Sequence, residues 1–225
     1  MSIADELSTS MKSLLDATYV AGGGGGGGQG LLNYISGAAG SFENLFYGAT
    51  FPSGYNAYID TPKAPASLVS MFRVTTGLEK LTFLVPTDKV YNASYFMFGS
   101  TTAGQKSTIK EIHLPDGIKF SKFDRFVSNC ESLRSIYGKI DLSQSTTNDI
   151  CFMSCPALVD VEFVKGSITQ SLYLKQSSQL SDASIASILE GLSLDATGQT
   201  LTLHSSVAAR IDEREVTDRG WTLVY

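Results

Sequence analysis

The amino-acid sequence predicts an α/β solenoid of about five repeats, with an N-terminal arm and a mixed α/β cap at the C-terminal end. Three observations lead to this fold class. Apolar residues recur at regular intervals through the middle of the chain, seven consecutive glycines precede that region, and residues 181–225 alternate between helical and extended patterns. The intervals are roughly 22–31 residues, which is typical of solenoids, because each unit needs its neighbours to bury an apolar face.

Composition narrows the class of protein. The chain has 225 residues, which is enough for one sizeable domain with an appended arm. A formal net charge of −5 argues against nucleic-acid binding, because phosphate contacts need clustered Lys and Arg. The sequence contains no stretch of about 18 apolar residues, so membrane insertion is not expected.

The N-terminus and the cysteines indicate where the protein is made. Asp5 and Glu6 stand where a secretory signal peptide needs a basic region followed by an apolar core, so no signal peptide is expected. The three cysteines, Cys130, Cys151 and Cys155, are an odd number and too few for a disulfide framework. We therefore expect synthesis in a cytoplasm with reduced thiols, and any exit by another route such as lysis.

Residues 1–30 form the predicted arm. An apolar stripe with helical spacing runs to about Thr18, and its members are Ile3, Leu7, Met11, Leu14 and Leu15. Because an isolated helix of this length is marginal in water, the stripe needs a partner surface on its own domain, on another copy or on another protein. The glycines Gly22–Gly28 then indicate a flexible linker, or segments of several copies packed side by side. No Gly-Lys-Ser/Thr follows, so a phosphate-binding loop is discounted.

Residues 31–63 are predicted to form an N-terminal cap. They are rich in Gly, Ser, Asn and aromatic residues and show no helical stripe, which predicts loops with short strands. We expect their aromatic side chains to cover the open end of the solenoid, which would otherwise expose apolar surface. These aromatic residues are Tyr34, Phe42, Phe46, Tyr47, Phe51, Tyr55 and Tyr58.

Residues 64–180 carry the predicted repeats. Four segments can be superimposed, each with an aromatic residue followed by an apolar run, and the second of them contains an insertion near 101–106. The aromatic positions are nearly evenly spaced, and they are Phe72, Phe98, Phe126 and Phe152. A degenerate fifth copy runs from Leu172 through Leu180. We expect short strands at the apolar runs, cysteines inside the coil, and Thr, Ser, Asn and Asp at the turns.

One unit, Phe152-Met-Ser-Cys155-Pro-Ala-Leu158-Val-Asp-Val161, shows the pattern Phe-x-x-Cys-x-x-Leu-x-x-Ile/Val. This pattern resembles the BspA-like leucine-rich repeats of bacterial surface proteins and gut bacteriophages, over roughly residues 64–203. The insertion in the second unit and the glycine run depart from the family pattern. Both chain ends are also similar to those of prophage-encoded members, in Ile3-Ala-Asp-Glu-Leu7, Leu180-Ser-Asp-Ala-Ser-Ile185, Leu201-Thr-Leu203 and Gly220-Trp221-Thr-Leu223.

Residues 181–225 are predicted to be a capping repeat. Ser181 or Asp182 is expected to N-cap a helix whose apolar residues are Ile185, Ile188, Leu189 and Leu192. A strand over 199–205 and a short helix at 212–214 follow. This amphipathic C-terminal segment gives the polar outer face that a terminal repeat requires.

The sequence shows no recognisable catalytic, cofactor or metal site, so no enzyme activity, cofactor or bound metal is expected. The two histidines are His113, predicted to point out of a strand, and His204. Cys151 and Cys155 lie close together in the sequence, but a structural zinc site usually needs a second pair of ligands. An enzyme with an unrecognised site stays an alternative. So does a surface calcium site, because folding can bring together scattered acidic residues, here Asp116, Asp124, Asp141, Asp149 and Asp160.

Tyrosines are the candidates for an extended binding face, because tyrosine gives a large contact area at low entropy cost. These candidates are Tyr91, Tyr95, Tyr137 and Tyr173. The alternative is that at least half of them pack in the repeat edges. No ligand-binding residue is therefore assigned from the sequence.

Layout and resemblance together predict a non-enzymatic bacteriophage virion structural protein, as a fibre, decoration or host-recognition component that presents a leucine-rich-repeat binding domain. The arm would bind other virion proteins and assemble a homo-oligomer, with a trimer favoured by analogy with fibres. The outward partner would be a host surface protein or glycan. The alternative is a BspA-like adhesin on the bacterial cell surface, which would need an export signal.

Overall fold

The computed structural model describes four stretches of the chain, namely residues 42–60, 64–97, 99–100 and 106–225. Several predicted features lie outside these residues. They are the N-terminal helix and glycine run of residues 1–30, the aromatic residue Phe98, and most of the insertion near 101–106. Within the predicted cap of residues 31–63, the description begins at Phe42.

Ten strands and three helices occur in the described residues. The strands are β1 (Thr50–Asp60), β2 (Thr76–Leu84), β3 (Val90–Asn92), β4 (Glu111–His113), β5 (Ile118–Lys122), β6 (Ser135–Tyr137), β7 (Ile140–Asp141), β8 (Leu172–Leu174), β9 (Thr200–Leu203) and β10 (Thr222–Val224). The helices are α1 (Asp182–Gly191), α2 (Ser205–Ala208) and α3 (Arg214–Thr217). None of the described helices has the length and apolar character needed to cross a membrane.

The described strands form three sheets in which every pair is parallel. The sheet orders are β1-β2-β4-β6, β3-β5-β7 and β10-β9-β8. Each strand pairs with a segment about one predicted repeat away along the chain, as in Ile112 with Ile136 and Leu81 with Ile112. Parallel strands need a long connection between them, and here each connection contains a turn and, in several cases, a strand of another sheet.

The turns also stack on one another and define a register. Four backbone N–H groups donate to carbonyls one turn further along at 2.9–3.1 Å, in the pairs Asn44–Val69, Ser70–Ser94, Tyr95–Asp124 and Arg125–Asp149. The four donors and Ile150 all have positive φ, between 42° and 57°. These five positions therefore mark the same point in successive turns of the chain.

This register corrects the spacing predicted from the aromatic residues. Two positions after Ser70, Tyr95, Arg125 and Ile150 come Phe72, Met97, Val127 and Phe152. The predicted alignment, which used Phe98 and Phe126, is therefore wrong by one position at each of these two residues. Phe126 and Val127 are both buried, with 1% and 0% of their surface exposed. An apolar pattern cannot distinguish two adjacent buried positions, which is why the error arises.

Phenylalanine side chains form a column through the core. Along Phe46, Phe72, Phe96 and Phe126 the successive ring centroids are 4.9, 5.4 and 5.3 Å apart. Such pairs each contribute about 0.5–1.5 kcal/mol beyond the burial of their surface. Phe46 belongs to the predicted N-terminal cap, whose strand β1 pairs with β2. The described part of that segment therefore shares the core and the first sheet with residues 64–180, where the repeats are predicted.

The C-terminal segment begins with a capped helix. The hydroxyl of Ser181 accepts a hydrogen bond from the Ser184 N–H at 3.2 Å, so Ser181 is the N-cap of α1 and one of the two predicted caps is confirmed. Strand β9 falls within the predicted strand 199–205. Trp221 is buried, and its Nε1 donates to the Ser193 carbonyl at 2.9 Å, which ties the last strand to the rest of the core.

Candidate functional site

The structure separates the tyrosines that were predicted to share a binding face. Tyr137 is 44% exposed. Tyr91 is buried, and its hydroxyl donates to the Pro86 carbonyl at 2.9 Å, so this candidate does not belong to a binding face and follows the alternative of packing within the fold. The short strand that holds Tyr91 offers too few positions for alternation to show which side faces inward. Tyr173 is half-buried, and its hydroxyl accepts a hydrogen bond from Gln176 at 3.1 Å.

Tyr95 lies on the stacked turns, next to two arginines. The guanidinium carbons of Arg73 and Arg125 are 5.5 and 5.2 Å from the centre of its ring. Arg125 also donates to the Tyr95 hydroxyl at 2.8 Å, and Arg73 lies 5.6 Å from the ring centre of Tyr47. This alternation of Tyr and Arg links neighbouring turns through cation–π contacts, so Tyr95 is engaged within the fold.

The outer face of the four-stranded sheet carries the candidate site. In the parallel register Tyr58 pairs with Thr82, Thr82 with His113, and His113 with Tyr137. The neighbouring residues along each strand point into the core, so these four side chains point outward. We call this set the Tyr58–Tyr137 row. Its two end tyrosines are the most exposed members, at 49% and 44%.

Tyr58 is the member that the sequence analysis placed elsewhere, among the aromatic residues expected to cover the end of the solenoid. A signal for its true position exists in the sequence. Ala57 and Ile59 flank it, and both are buried. In a strand with a period of two, apolar residues on both sides predict that Tyr58 faces the opposite side of the sheet.

His113 and Tyr137 form a tilted ring pair at one end of the row. Their ring centroids are 4.4 Å apart, with 34° between the planes. His113 Nε2 lies 3.2 Å from Glu111 Oε2, and Lys80 Nζ lies 3.3 Å from the same oxygen. The hydrogen bond with His113, followed by the interaction with Lys80, lowers the pKa of Glu111. The ionised carboxylate thus fixes the orientation of the imidazole.

Charged residues lie beside the row. Lys80 pairs with Glu111 at 3.3 Å, and Lys110 pairs with Glu79 at 2.9 Å. Two further carboxylates are exposed on this side of the sheet and the bridge that extends it, Asp60 next to Tyr58 and Glu162 level with Tyr137. The outer face is therefore rich in charge, and near each end of the row lies a carboxylate that pairs with no residue the structure describes.

A close backbone approach positions Tyr137. The Leu114 N–H donates to the Tyr137 carbonyl at 2.9 Å, and the chain turns directly afterwards at Gly138, whose φ is +93°. A Cβ atom at Gly138 would lie 2.1 Å from the Leu114 carbonyl oxygen. Only glycine fits this position, so the end of β6 and the direction of the Tyr137 side chain depend on it.

The acidic residues considered for calcium are engaged separately. Asp124 accepts hydrogen bonds from the hydroxyls of Ser94 and Thr147, and Asp141 accepts one from the Ser143 N–H. Each remaining acid also has its own partner: Asp116 with the Lys139 N–H, Asp149 with Arg125, and Asp160 with Ser135. Among the residues that the structure describes, no group of three or more His, Cys, Asp or Glu side chains is placed to hold a metal ion.

His204 and the three cysteines have structural surroundings. His204 Nδ1 accepts the Ser206 N–H at 3.2 Å, at the N-cap of α2. Cys130, Cys151 and Cys155 are all 0% exposed, and burial raises the pKa of each thiol. A nucleophilic cysteine needs an accessible thiolate, so this arrangement does not favour a Cys–His pair.

A cavity of about 530 Å³ lies near the C-terminal end, and its lining residues are Leu194, Asp212, Arg214, Glu215, Asp218 and Arg219. Asp212 Oδ2 accepts a hydrogen bond from Arg214 Nη2 at 2.8 Å, and this bonding lowers the pKa of Asp212. A general acid at neutral pH needs a raised pKa. The cavity is therefore a weaker candidate site than the sheet face.

Comparisons of the chain with family models, with curated proteins and with solved structures find no match.

Proposed function

We propose that the chain is a non-enzymatic binding protein built on a BspA-like leucine-rich-repeat solenoid. The parallel pairing of segments one predicted repeat apart and the stacked turns support this fold. In a coil of this kind each unit satisfies its backbone hydrogen bonds through its neighbours. The proposed parts are an arm at 1–30, an N-terminal cap at 31–63, repeats at 64–180 and a capping repeat at 181–225.

The Tyr58–Tyr137 row is the observation that carries the binding role. Its exposed rings lie in one line across four strands and pack into no part of the described core. Tyrosine is enriched at contact surfaces, and stacked repeats usually bind through an extended face. The row therefore supports a recognition surface on the outer side of the sheet.

We further propose that the protein is a bacteriophage virion component, either a fibre, a decoration protein or a host-recognition protein, made in the host cytoplasm. The support is the arm-and-repeat layout and the resemblance of both chain ends to prophage-encoded proteins. The arm would bind other virion proteins and assemble a homo-oligomer, with a trimer favoured. The sheet face would contact a host surface protein or glycan.

A cell-surface adhesin is the second candidate function, because the same repeat pattern resembles bacterial surface proteins. Antibodies against the chain would separate the two. We expect labelling of purified phage particles from an induced lysate and no labelling of intact, uninduced cells. Labelling of cells with none on the particles would contradict the virion role and favour the adhesin.

The role of the arm has its own measurement, which is the mass in solution of the full chain beside a variant that begins at Leu31. A defined oligomer for the full chain and a monomer for the variant would support assembly through residues 1–30. Monomers for both would contradict it, and the arm would then be a tether for a different partner.

A further inference from the structure

The Tyr58–Tyr137 row offers hydrogen-bonding groups as well as exposed rings. The hydroxyls of Tyr58, Thr82 and Tyr137 make no hydrogen bond to any residue that the structure describes. Each hydroxyl can both donate and accept. A ligand that lies along the row therefore meets an aromatic ring at each end and polar groups between them.

The length of the row sets a minimum size for this ligand. Neighbouring strands are about 4.8 Å apart, so three steps across the sheet separate the backbones of Tyr58 and Tyr137 by about 14 Å. This distance exceeds a single sugar ring or a single amino-acid side chain. A ligand that touches both tyrosines must be an extended chain of several units.

The charges beside the row favour a neutral ligand rich in hydroxyl groups. An anionic ligand would meet the exposed carboxylates of Asp60 and Glu162, which lie near the two ends of the row. A cationic ligand would compete with Lys80 and Lys110 for Glu111 and Glu79. An apolar ligand would remove the Thr82 hydroxyl from water without giving it a partner, which is unfavourable. A ligand with hydroxyl groups at its rim can instead bond to this side chain.

The shape of the surface also argues against a protein as the occupant. A protein partner of ordinary size covers about 800 Å² on each side, and the centre of such an interface is depleted of charge. Here the exposed rings form a single narrow row, and charged residues lie directly beside it. The surface fits a narrow chain better than a broad partner.

We infer that the Tyr58–Tyr137 row binds a neutral oligosaccharide. The rings of such sugars have C–H faces that pack on aromatic side chains, and their hydroxyl rims exchange hydrogen bonds with groups such as the Thr82 hydroxyl. Tyr58 and Tyr137 hold two separate sugar units, and His113, oriented by Glu111, extends the aromatic surface next to Tyr137. The inference rests on the proposed binding function and names its ligand class.

A binding assay on the full chain tests this inference. The probes are neutral oligosaccharides of glucose, galactose, mannose or N-acetylglucosamine, from single sugars to hexasaccharides, together with sialylated and sulfated glycans and extended peptides. We expect binding of at least one neutral series that strengthens from single sugars to longer chains. Tyr58→Ala and Tyr137→Ala should each weaken that binding by about five- to tenfold.

Matched variants keep the test specific. Tyr225→Ala removes a tyrosine that is 66% exposed but lies away from the sheet face, and it should leave binding unchanged. Tyr137→Phe keeps the ring on which a sugar packs, so it should retain most of the affinity. Unfolding curves should show that every variant is folded. The inference is overturned if no neutral oligosaccharide binds, if only charged glycans or peptides bind, or if both alanine variants bind like the parent chain.

Two further measurements, the protein content of the particles and their adsorption to host cells, distinguish a wrong ligand class from a wrong proposed function. If particles carry the protein and the alanine variants reduce adsorption of the particles to host cells, but no neutral oligosaccharide binds, the ligand class is wrong and the function stands. If neutral oligosaccharides bind through the row and particles lack the protein, the ligand class stands and the virion role is wrong.

Discussion

Cys130 and Cys155 make the same hydrogen bond in successive turns of the chain. The Cys130 thiol donates to the Met97 carbonyl at 3.0 Å, and the Cys155 thiol donates to the Val127 carbonyl at 2.9 Å. Met97 and Val127 are themselves equivalent positions in the register of the turns. Burial raises the pKa of Cys130 to about 12 and that of Cys155 well above its ordinary value. Both thiols thus stay protonated and act as small core residues that bond to the neighbouring turn.

We expect the three native thiols to resist modification. A thiolate is the reactive species, and all three thiols are buried and stay protonated at about pH 8. A colorimetric thiol reagent should react slowly with the folded chain and rapidly with all three thiols in denaturant. Ser205→Cys, which adds an exposed thiol, serves as the control and should react at once. Rapid labelling of the folded parent chain would show that the core opens to solvent.

Stability should fall at high pH. Cys130, Cys151 and Tyr91 all have pKa values raised to about 12 by burial, from ordinary values of 9.0 for cysteine and 10.0 for tyrosine. In the unfolded chain the cysteines lose their protons above about pH 9 and Tyr91 loses its proton above about pH 10, while the folded chain keeps them, so the folded state binds more protons. The free energy of unfolding should then decrease by roughly 1.4 kcal/mol per pH unit for each group until about pH 12.

Urea unfolding at several pH values between neutral and strongly alkaline measures this decrease. Tyr91→Phe removes one titrating group and the hydrogen bond to Pro86, so it should lower stability at neutral pH and make the alkaline decrease shallower. The same decrease in the variant and the parent chain would show that Tyr91 does not take part.

Gly138→Ala should destabilise the fold more than an ordinary glycine substitution. Both Gly138 and Gly117 have positive φ, but only Gly138 has a backbone atom where the new Cβ would lie. We expect Gly117→Ala to cost about 1–2 kcal/mol through the left-handed backbone alone. Gly138→Ala should cost clearly more, because the Cβ meets the Leu114 carbonyl. Equal losses in thermal or urea unfolding would contradict the close approach.

Ser181→Ala should weaken the C-terminal segment by about 1 kcal/mol, because the N-terminus of α1 loses its cap. The hydroxyl also donates to Asp160 at 3.1 Å, so the loss can exceed that of a cap alone. Ser178→Ala is the matched control, since the Ser178 side chain makes no hydrogen bond to a described residue. Hydrogen exchange over α1 locates the effect, and unchanged exchange in Ser181→Ala would contradict a capping role.

The sequence predicts the period of the chain better than its register. The regular recurrence of apolar residues is visible directly, and partner strands are separated by similar distances along the chain. The choice between Phe126 and Val127 as equivalent positions is not visible, because both side chains are buried. Backbone hydrogen bonds decide this choice, and every residue type except proline can form them. The residue types in the sequence therefore do not indicate which of the two positions is equivalent.

The candidate site was only partly predictable, for a related reason. Tyr91 and Tyr137 are both tyrosines in short strands, yet Tyr91 is buried and Tyr137 is exposed. In such short strands, alternation gives too few positions to fix which side faces the core. Tyr58 lies in the much longer strand β1, where its buried neighbours would have sufficed. The row itself appears only when the register across four strands is known.

The unequal spacing of the turns has a practical consequence for protein engineering. The step from Tyr95 to Arg125 is longer than the next step, from Arg125 to Ile150, yet backbone hydrogen bonds continue on both sides of the longer stretch. The Gly99 N–H donates to the Ser128 carbonyl at 2.9 Å, and the Lys110 N–H donates to the Glu79 carbonyl at 2.8 Å. Turns of unequal length thus share one hydrogen-bonding register in the described residues. A designed chain assembled from these units therefore need not use repeats of identical length.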